Sequence, residues 1–306
     1  MHSNKVHVQN ETNQLKTVVL GLAKDIGHPP NPQQCYDPKS LENVLNNSYP
    51  EEAALVHQME GFKTVLEKYK VEVLRPKNIV GLHQVFARDI AFVIEDYFFK
   101  PNIIEDRAKE WEAIEYIVAQ MDPKTLISMP PNVRIEGGDV LVYNNKIFVG
   151  YSKEEDFGSF KVARTNVAGL HFLKEFFPKK EVIGFELNKS DTDPRAGALH
   201  LDCCFQPVGR NKALLCEAGF KHKEDFTYLV QEFGEENCLF LEGDELYDLC
   251  SNIFSISPSV VVSQKEFVRV NTWLRDVGIT VEAIEYDQIS KMGGLFRCST
   301  MPLFRE

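Results

Sequence analysis

The chain lacks any cysteine pair at CxxC spacing. Its seven cysteines, Cys35, Cys203, Cys204, Cys216, Cys238, Cys250 and Cys298, are odd in number and scattered, which argues against a disulfide framework and a thiolate zinc site alike. The eight histidines show no HExxH or other close metal-ligand spacing, so neither a metal nor another cofactor is expected. No run of lysine and arginine is long enough to form a phosphate-binding stripe. With 45 acidic against 34 basic residues the formal charge is −11, so no nucleic-acid or anionic membrane partner is expected and a small cation suits the field better. Residues 1–14 are almost wholly polar, and no later stretch approaches the roughly 20 apolar residues of a bilayer span. The expectation is a cytoplasmic protein, with the oligomeric state, homo-oligomer included, left open.

What is present is ample core material. Of 306 residues, 43% are hydrophobic and 11% aromatic, enough for one domain or two. Five times an amphipathic helix, at 51–69, 106–121, 165–177, 223–233 and 265–277, leads into a short apolar strand at 71–74, 126–129, 182–185, 238–241 and 279–283. Further strand-like runs follow at 90–94, at 140–143 with 147–150 across an Asn144-Asn145 turn, at 198–208 with 213–216, and at 253–262. The fifth unit is completed least clearly. The repeated order implies five structural modules in a single α/β domain over residues 1–306.

The residues able to do chemistry sit at like places in those modules. Asp89, Glu136, His200 with Asp202, and Cys298 each fall shortly after the helix-following strand of modules one, two, three and five. In a closed ring of modules such positions face the centre. Cys298 follows Gly293-Gly294 and Arg297, where backbone can approach a substrate and a cation can favour thiolate. His200 and Asp202, two apart in an apolar strand, are expected on the same face. Cysteine, histidine and glutamate supply a nucleophile, a proton carrier and an orienting group. The additional carboxylates, Asp89 and Asp202, would repel a developing oxyanion but grip a planar cation with several N–H donors, as a guanidinium is. Taken singly, Glu136-Gly137-Gly138-Asp139 also suits a plain turn, and Arg88-Asp89 a local ion pair.

Four strings carry a resemblance to a known family: Phe86-Ala87-Arg88-Asp89, Ile135-Glu136-Gly137-Gly138-Asp139-Val140, Leu199-His200-Leu201-Asp202 and Arg297-Cys298-Ser299-Thr300-Met301-Pro302-Leu303. In this order they resemble the motifs of the guanidine-modifying (pentein) superfamily of arginine deiminases, dimethylarginine dimethylaminohydrolases, agmatine deiminases and amidinotransferases. The resemblance implies a five-bladed α/β propeller with pseudo-fivefold ββαβ modules and a small cationic guanidino substrate. It implies Cys298 as nucleophile, His200 as general acid and base, Glu136 as its orienting carboxylate, and Asp89 and Asp202 as ligands of the guanidinium. Arg164 resembles an arginine that binds a substrate carboxylate, with Arg107 a second choice. Asp139 is left between binding substrate and bonding backbone.

The implied activity is hydrolysis of a guanidino C–N bond of arginine or an arginine derivative through an amidino-thioether on Cys298. The alternatives are transfer of the amidino group to an amine such as glycine, and non-catalytic binding of arginine-like ligands. Leu295-Phe296 puts one more residue before Arg297-Cys298 than deiminases lead one to expect, and this raises the question of the pocket lip.

Overall fold

The computed structural model describes residues 5–306; Met1–Asn4, part of the polar N-terminal stretch, lie outside it. Four times the chain lays down an antiparallel hairpin and returns through a helical crossover as a third strand, parallel to the hairpin's second. A further sheet is made from residues near the two ends of the chain. It contains β1 (Leu15–Leu20) and β2 (Glu72–Leu74). The four regular sheets are β3 (Phe92–Ile94), β4 (Tyr97–Lys100) and β5 (Leu126–Ser128); β6 (Val140–Tyr143), β7 (Lys146–Tyr151) and β8 (Glu181–Glu186); β9 (Phe205–Val208), β10 (Lys212–Leu215) and β11 (Cys238–Phe240); and β12 (Phe254–Ser257), β13 (Val260–Gln264) and β14 (Thr280–Ile284). The last strand, β15 (Thr300–Arg305), pairs antiparallel with β1, Leu20 opposite Thr300 and Leu15 opposite Arg305. It supplies to the first sheet the hairpin partner that the others find locally. All five are three-stranded mixed sheets, and the fold is mixed α/β.

The crossovers follow the expected spacing with one change of geometry. Helices Glu52–Lys68, Val167–Phe176, Lys223–Phe233 and Val268–Asp276 lie within the expected spans. The second crossover, expected as an α-helix over 106–121, is instead a 3₁₀ helix at Glu105–Ala113 followed by a short α-helix at Glu115–Val118. The cause is tertiary. Three residues per turn bring i and i+3 onto one line, and Arg107 and Glu110, both buried, pair at 2.7 Å across that interval while Arg107 also reaches Asp89. The expected strand 198–208 is likewise shortened. Leu201–Cys203 forms a 3₁₀ turn, and the strand begins only at Phe205, because the Leu201 N–H is taken by the Asp139 carboxylate rather than by a ladder partner.

Six of the seven cysteines are buried and all are free. Among the described residues no helix is long and apolar enough to cross a membrane.

Where the sheets meet, the interior is charged as well as apolar. Glu11, Arg88, Arg297 and Arg305 are all at most 4% exposed. Arg305 donates to the Asn13 and Ser255 carbonyls and lies over the Phe254 ring. Arg297 makes a paired bond to Glu11 at 3.1 and 3.2 Å. Burial works against the Glu11 carboxylate, but Arg297 and Arg88 outweigh it and hold its pKa down at about 2. A depressed carboxylate stabilises the fold above its unfolded pKa, and that stability drains away as pH falls towards the folded value. Glu11→Gln should therefore lower stability at pH 7 by about 3 kcal/mol. Urea denaturation of both proteins should show this gap narrowing as pH drops from 5 towards 2, and a gap independent of pH would contradict the pairing.

Candidate active site

Cys298 sits in a turn just ahead of β15, and two glycines allow the turn to form. Gly293 has φ +85°, and a Cβ there would lie 2.3 Å from the Asp37 carboxylate; a Cβ on Gly294 would lie 2.8 Å from that of Cys298. The turn closes through Ser299 N–H to Leu295 O and Thr300 N–H to Arg297 O. Leu295 and Phe296 are wholly buried, Phe296 stacking on Tyr286 at 4.3 Å. The added residue therefore enters the core and does not form a pocket lip.

His200 reaches the same interior from the third module. Its Nε2 lies 2.8 Å from Glu136 Oε2, and its ring is so close to Gly138 that a Cβ there would sit 2.6 Å from Nδ1. The Nδ1 atom faces Asp89 Oδ1 at 3.7 Å, and both atoms are buried without a hydrogen-bond partner. Burial disfavours imidazolium, but the Asp89, Asp139 and Glu136 carboxylates more than offset it and push the His200 pKa up. Glu136 stays ionised: burial opposes its charge, while Arg164 at 2.9 Å and His200 hold its pKa well below the usual range. Such a histidine enters a reaction as an acid.

Asp202 completes the group by a different route from strand alternation, since it lies within the 3₁₀ turn Leu201–Cys203 that His200 leads into. Its Oδ2 accepts from Arg297 Nη1 at 2.8 Å and lies 3.8 Å from Cys298 Sγ. Arg297 is thus turned to the carboxylates, away from the expected role of a cation beside the sulfur. The Cys298 pKa is pushed well above that of an ordinary thiol by burial, then by Asp202, Cys203 and Asp89. In this state the nucleophile candidate is a neutral thiol among carboxylates.

Cys298, His200, Glu136, Asp89 and Asp202 thus share one buried interior. The remaining three take supporting places. Asp139 Oδ1 accepts the Leu201 N–H at 2.9 Å, the backbone alternative. Arg107 spends its donors on Asp89 at 2.5 Å, on both Glu110 oxygens and on Phe86 O. Arg164 bonds Glu136, Lys161 O and Tyr36 O, using three of the five guanidinium N–H groups. Tyr36 lies within 6.0 Å of both guanidinium centres, and beside it a cavity of about 360 Å³ is lined by Tyr36, Asp37, Tyr49, His83 and Met292.

Two contributors were not among the residues expected at the site. Asn252 bonds the Cys298 sulfur and the turn around it, and an isolated Asn has no motif; Glu11 anchors Arg297, and although Gln9-Asn10-Glu11 resembles a string of the amidinotransferases, the sequence did not assign Glu11 to the site. Asp89, Glu136 and His200 place ligand atoms within 4.8 Å of one another and have the donors for a metal ion. Asp89 Oδ2 and Glu136 Oε2 already accept from Arg107 and Arg164, and His200, its pKa pushed up, offers no free lone pair to a metal while it is imidazolium.

A family model described as N,N dimethylarginine dimethylhydrolase, eukaryotic, matches residues 37–305. The uncharacterized protein YkgA of Bacillus subtilis is 28% identical over 243 residues, 78% of this chain and 77% of its own. An arginine deiminase of Staphylococcus haemolyticus is 27% identical over 205 residues, 56% of this chain and 48% of its own, so the match takes in about half of that enzyme. Among solved structures, the amidinotransferase SxtG of the saxitoxin biosynthetic pathway from Microseira wollei superposes with TM-score 0.75 at 16% identity, over 98% of this chain and 97% of its own. The N-terminal domain of ArgZ, an arginine dihydrolase of cyanobacteria, gives 0.77 at 14%, over 94% and 98%.

The contact between Gly138 and His200 is directly testable. Gly138→Ala drives a methyl into the buried His200 ring, which must shift to admit it, and should cost about 1–3 kcal/mol. NMR titration should show the His200 pKa falling as the ring leaves Glu136. A variant with parental stability and titration would mean that the close approach is unimportant.

Proposed function

We propose that this chain, which belongs to the N,N dimethylarginine dimethylhydrolase family, hydrolyses a guanidino C–N bond of arginine or an arginine derivative through a covalent intermediate on Cys298. The observation that carries this reading is the pair of facing, unpartnered atoms His200 Nδ1 and Asp89 Oδ1, buried in the same interior as a thiol and Asp202. A planar cation set there gives Asp89 and Asp202 the N–H donors they can accept, and its positive charge favours thiolate where the free site opposes it. The same reading takes the five sheets as blades of a five-bladed α/β propeller of the pentein type, in one domain; the superpositions over nearly the whole chain support it.

The chemistry follows from the protonation states. Substrate binding displaces the thiol proton to water, and the sulfur lone pair forms a C–S bond to the guanidino carbon while a C=N pair moves onto nitrogen. Imidazolium at His200, held in place by Glu136, gives its proton to the departing amine. The remaining amidino-thioether is planar and cationic. Neutral His200 then takes a proton from water as the water oxygen bonds the carbon, and the C–S pair returns to sulfur. Arg164, with two N–H groups unspent, is the arginine placed to meet a substrate carboxylate. Arg107, nearly saturated, instead holds Asp89.

The test is incubation with arginine, N-methylated arginines and agmatine, assaying a ureido product and released ammonia or amine. Cys298→Ala and His200→Asn should each lose at least about 10²–10⁴-fold in rate. Acid-quenched mass spectrometry should find the amidino adduct on Cys298. In Glu136→Gln, loss of one carboxylate that raises the His200 pKa should move the alkaline limb of the kcat/KM profile to lower pH. Product formed only when glycine, ornithine or lysine is added would replace hydrolysis by transfer. An active Cys298→Ala would overturn the covalent route altogether.

A further inference from the structure

Asn252 lies wholly buried against the nucleophile turn, and each part of its side-chain amide is spoken for. Oδ1 accepts the N–H groups of Leu295 at 3.2 Å and Cys298 at 3.1 Å. Two donors pointing at one atom settle which end of the amide it is, since a flipped amide would set N–H against N–H. Nδ2 must then face the Cys298 sulfur, 3.2 Å away, with the Asp202 carbonyl at 3.4 Å as its second acceptor. The Asn252 carbonyl in turn accepts the Arg297 N–H at 3.4 Å. One residue therefore fixes the backbone of the turn and donates to its sulfur.

The surroundings give that donor its importance. Asp202 Oδ2 lies 3.8 Å from Sγ, and Cys203, on the other oxygen of the same carboxylate at 3.6 Å, is itself a thiol. Arg297, the nearest guanidinium along the chain, is bound to Glu11, Asp202 and main-chain carbonyls. A thiolate formed at Cys298 would be met by oxygen and sulfur on these sides. The Asn252 amide offers an N–H.

We propose that Asn252 is a further catalytic residue, whose Nδ2–H receives the charge on the Cys298 sulfur each time that sulfur becomes a thiolate. This rests on the hydrolase reading above. The charge appears once before attack, when the thiol proton has left and the lone pair has yet to bond carbon. It appears again after water has bonded the amidino carbon and the C–S electron pair has returned to sulfur. A hydrogen bond to an anion is stronger than one to a neutral thiol, so the amide favours both states over the resting thiol.

The test reads the sulfur without a guanidino substrate. The rate of Cys298 carbamidomethylation by iodoacetamide is followed across pH by peptide mass spectrometry, in the parent and in Asn252→Asp and Asn252→Ala. Aspartate keeps Oδ1 for the two backbone donors and replaces the Nδ2 donor with a carboxylate oxygen. The alkylation midpoint should rise by about one pH unit or more, with the rate near neutral pH falling about tenfold, read at a temperature where the variant is folded. A parental midpoint in folded variants overturns the assignment. Should neither variant fold, the Asn252 side-chain amide resonances of the parent are followed through the thiol titration: movement at that midpoint supports the bond, and none removes it. Failure here leaves the hydrolase reading intact, whereas absent turnover with a shifted midpoint sinks that reading instead.

Discussion

One buried guanidinium organises this molecule. Arg297 gives its donors to both oxygens of Glu11, to Asp202 Oδ2 and to the carbonyls of Val140, Gly137 and Gly138. Four stretches far apart in sequence, near residues 11, 138, 202 and 297, thereby meet at one side chain. A buried arginine is tolerable only when its charge and its donors are both satisfied, so each of those stretches must arrive in the right place. The Glu11 segment is itself locked to β6 by its N–H on the Val142 carbonyl. This charge cluster sets the position of the residues expected to do chemistry.

The site around it is arranged as a set of opposing charges. Glu136 and Asp89 are each held by an arginine, Asp202 by Arg297, and His200 by the carboxylates around it. Among the buried atoms left without a partner are Asp89 Oδ1 and His200 Nδ1, which face each other, and Asp139 Oδ2. The interior accordingly penalises a second anion and accepts a cation, which is the reverse of what an acyl-transfer site with an oxyanion hole requires. The resting thiol belongs to the same balance, since its ionisation awaits positive charge nearby.

Much of this was legible in the sequence, for a physical reason. Helical and two-residue periodicity report burial, so the crossover helices and the strands that follow them could be placed, and the chemical residues lay at like points beyond them. The inferences that failed depended on local rules that tertiary contacts overrode. His200 and Asp202 were assigned one strand face, but the Asp139 carboxylate captures the Leu201 amide and turns the chain into a 3₁₀ bend. The second crossover gave up its α-helix to the Arg107–Glu110 and Arg107–Asp89 pairs. Leu295-Phe296, whose extra residue put the pocket lip in question, fills core against Tyr286. Asn252 was invisible because its importance lies in what approaches it from 46 residues along the chain.

The pairing of β1 with β15 has a consequence for the order of folding. Residues 15–20 emerge early yet complete their sheet only with residues 300–305, a contact of nearly the greatest sequence separation this chain allows. Loop closure over such a span is slow, and during synthesis no amount of local folding can hasten it. Cys298 lies two residues ahead of β15. The turn that carries the sulfur is therefore tied to a long-range pairing, whereas Asp89, Glu136 and His200 lead into sheets whose strands are close in sequence.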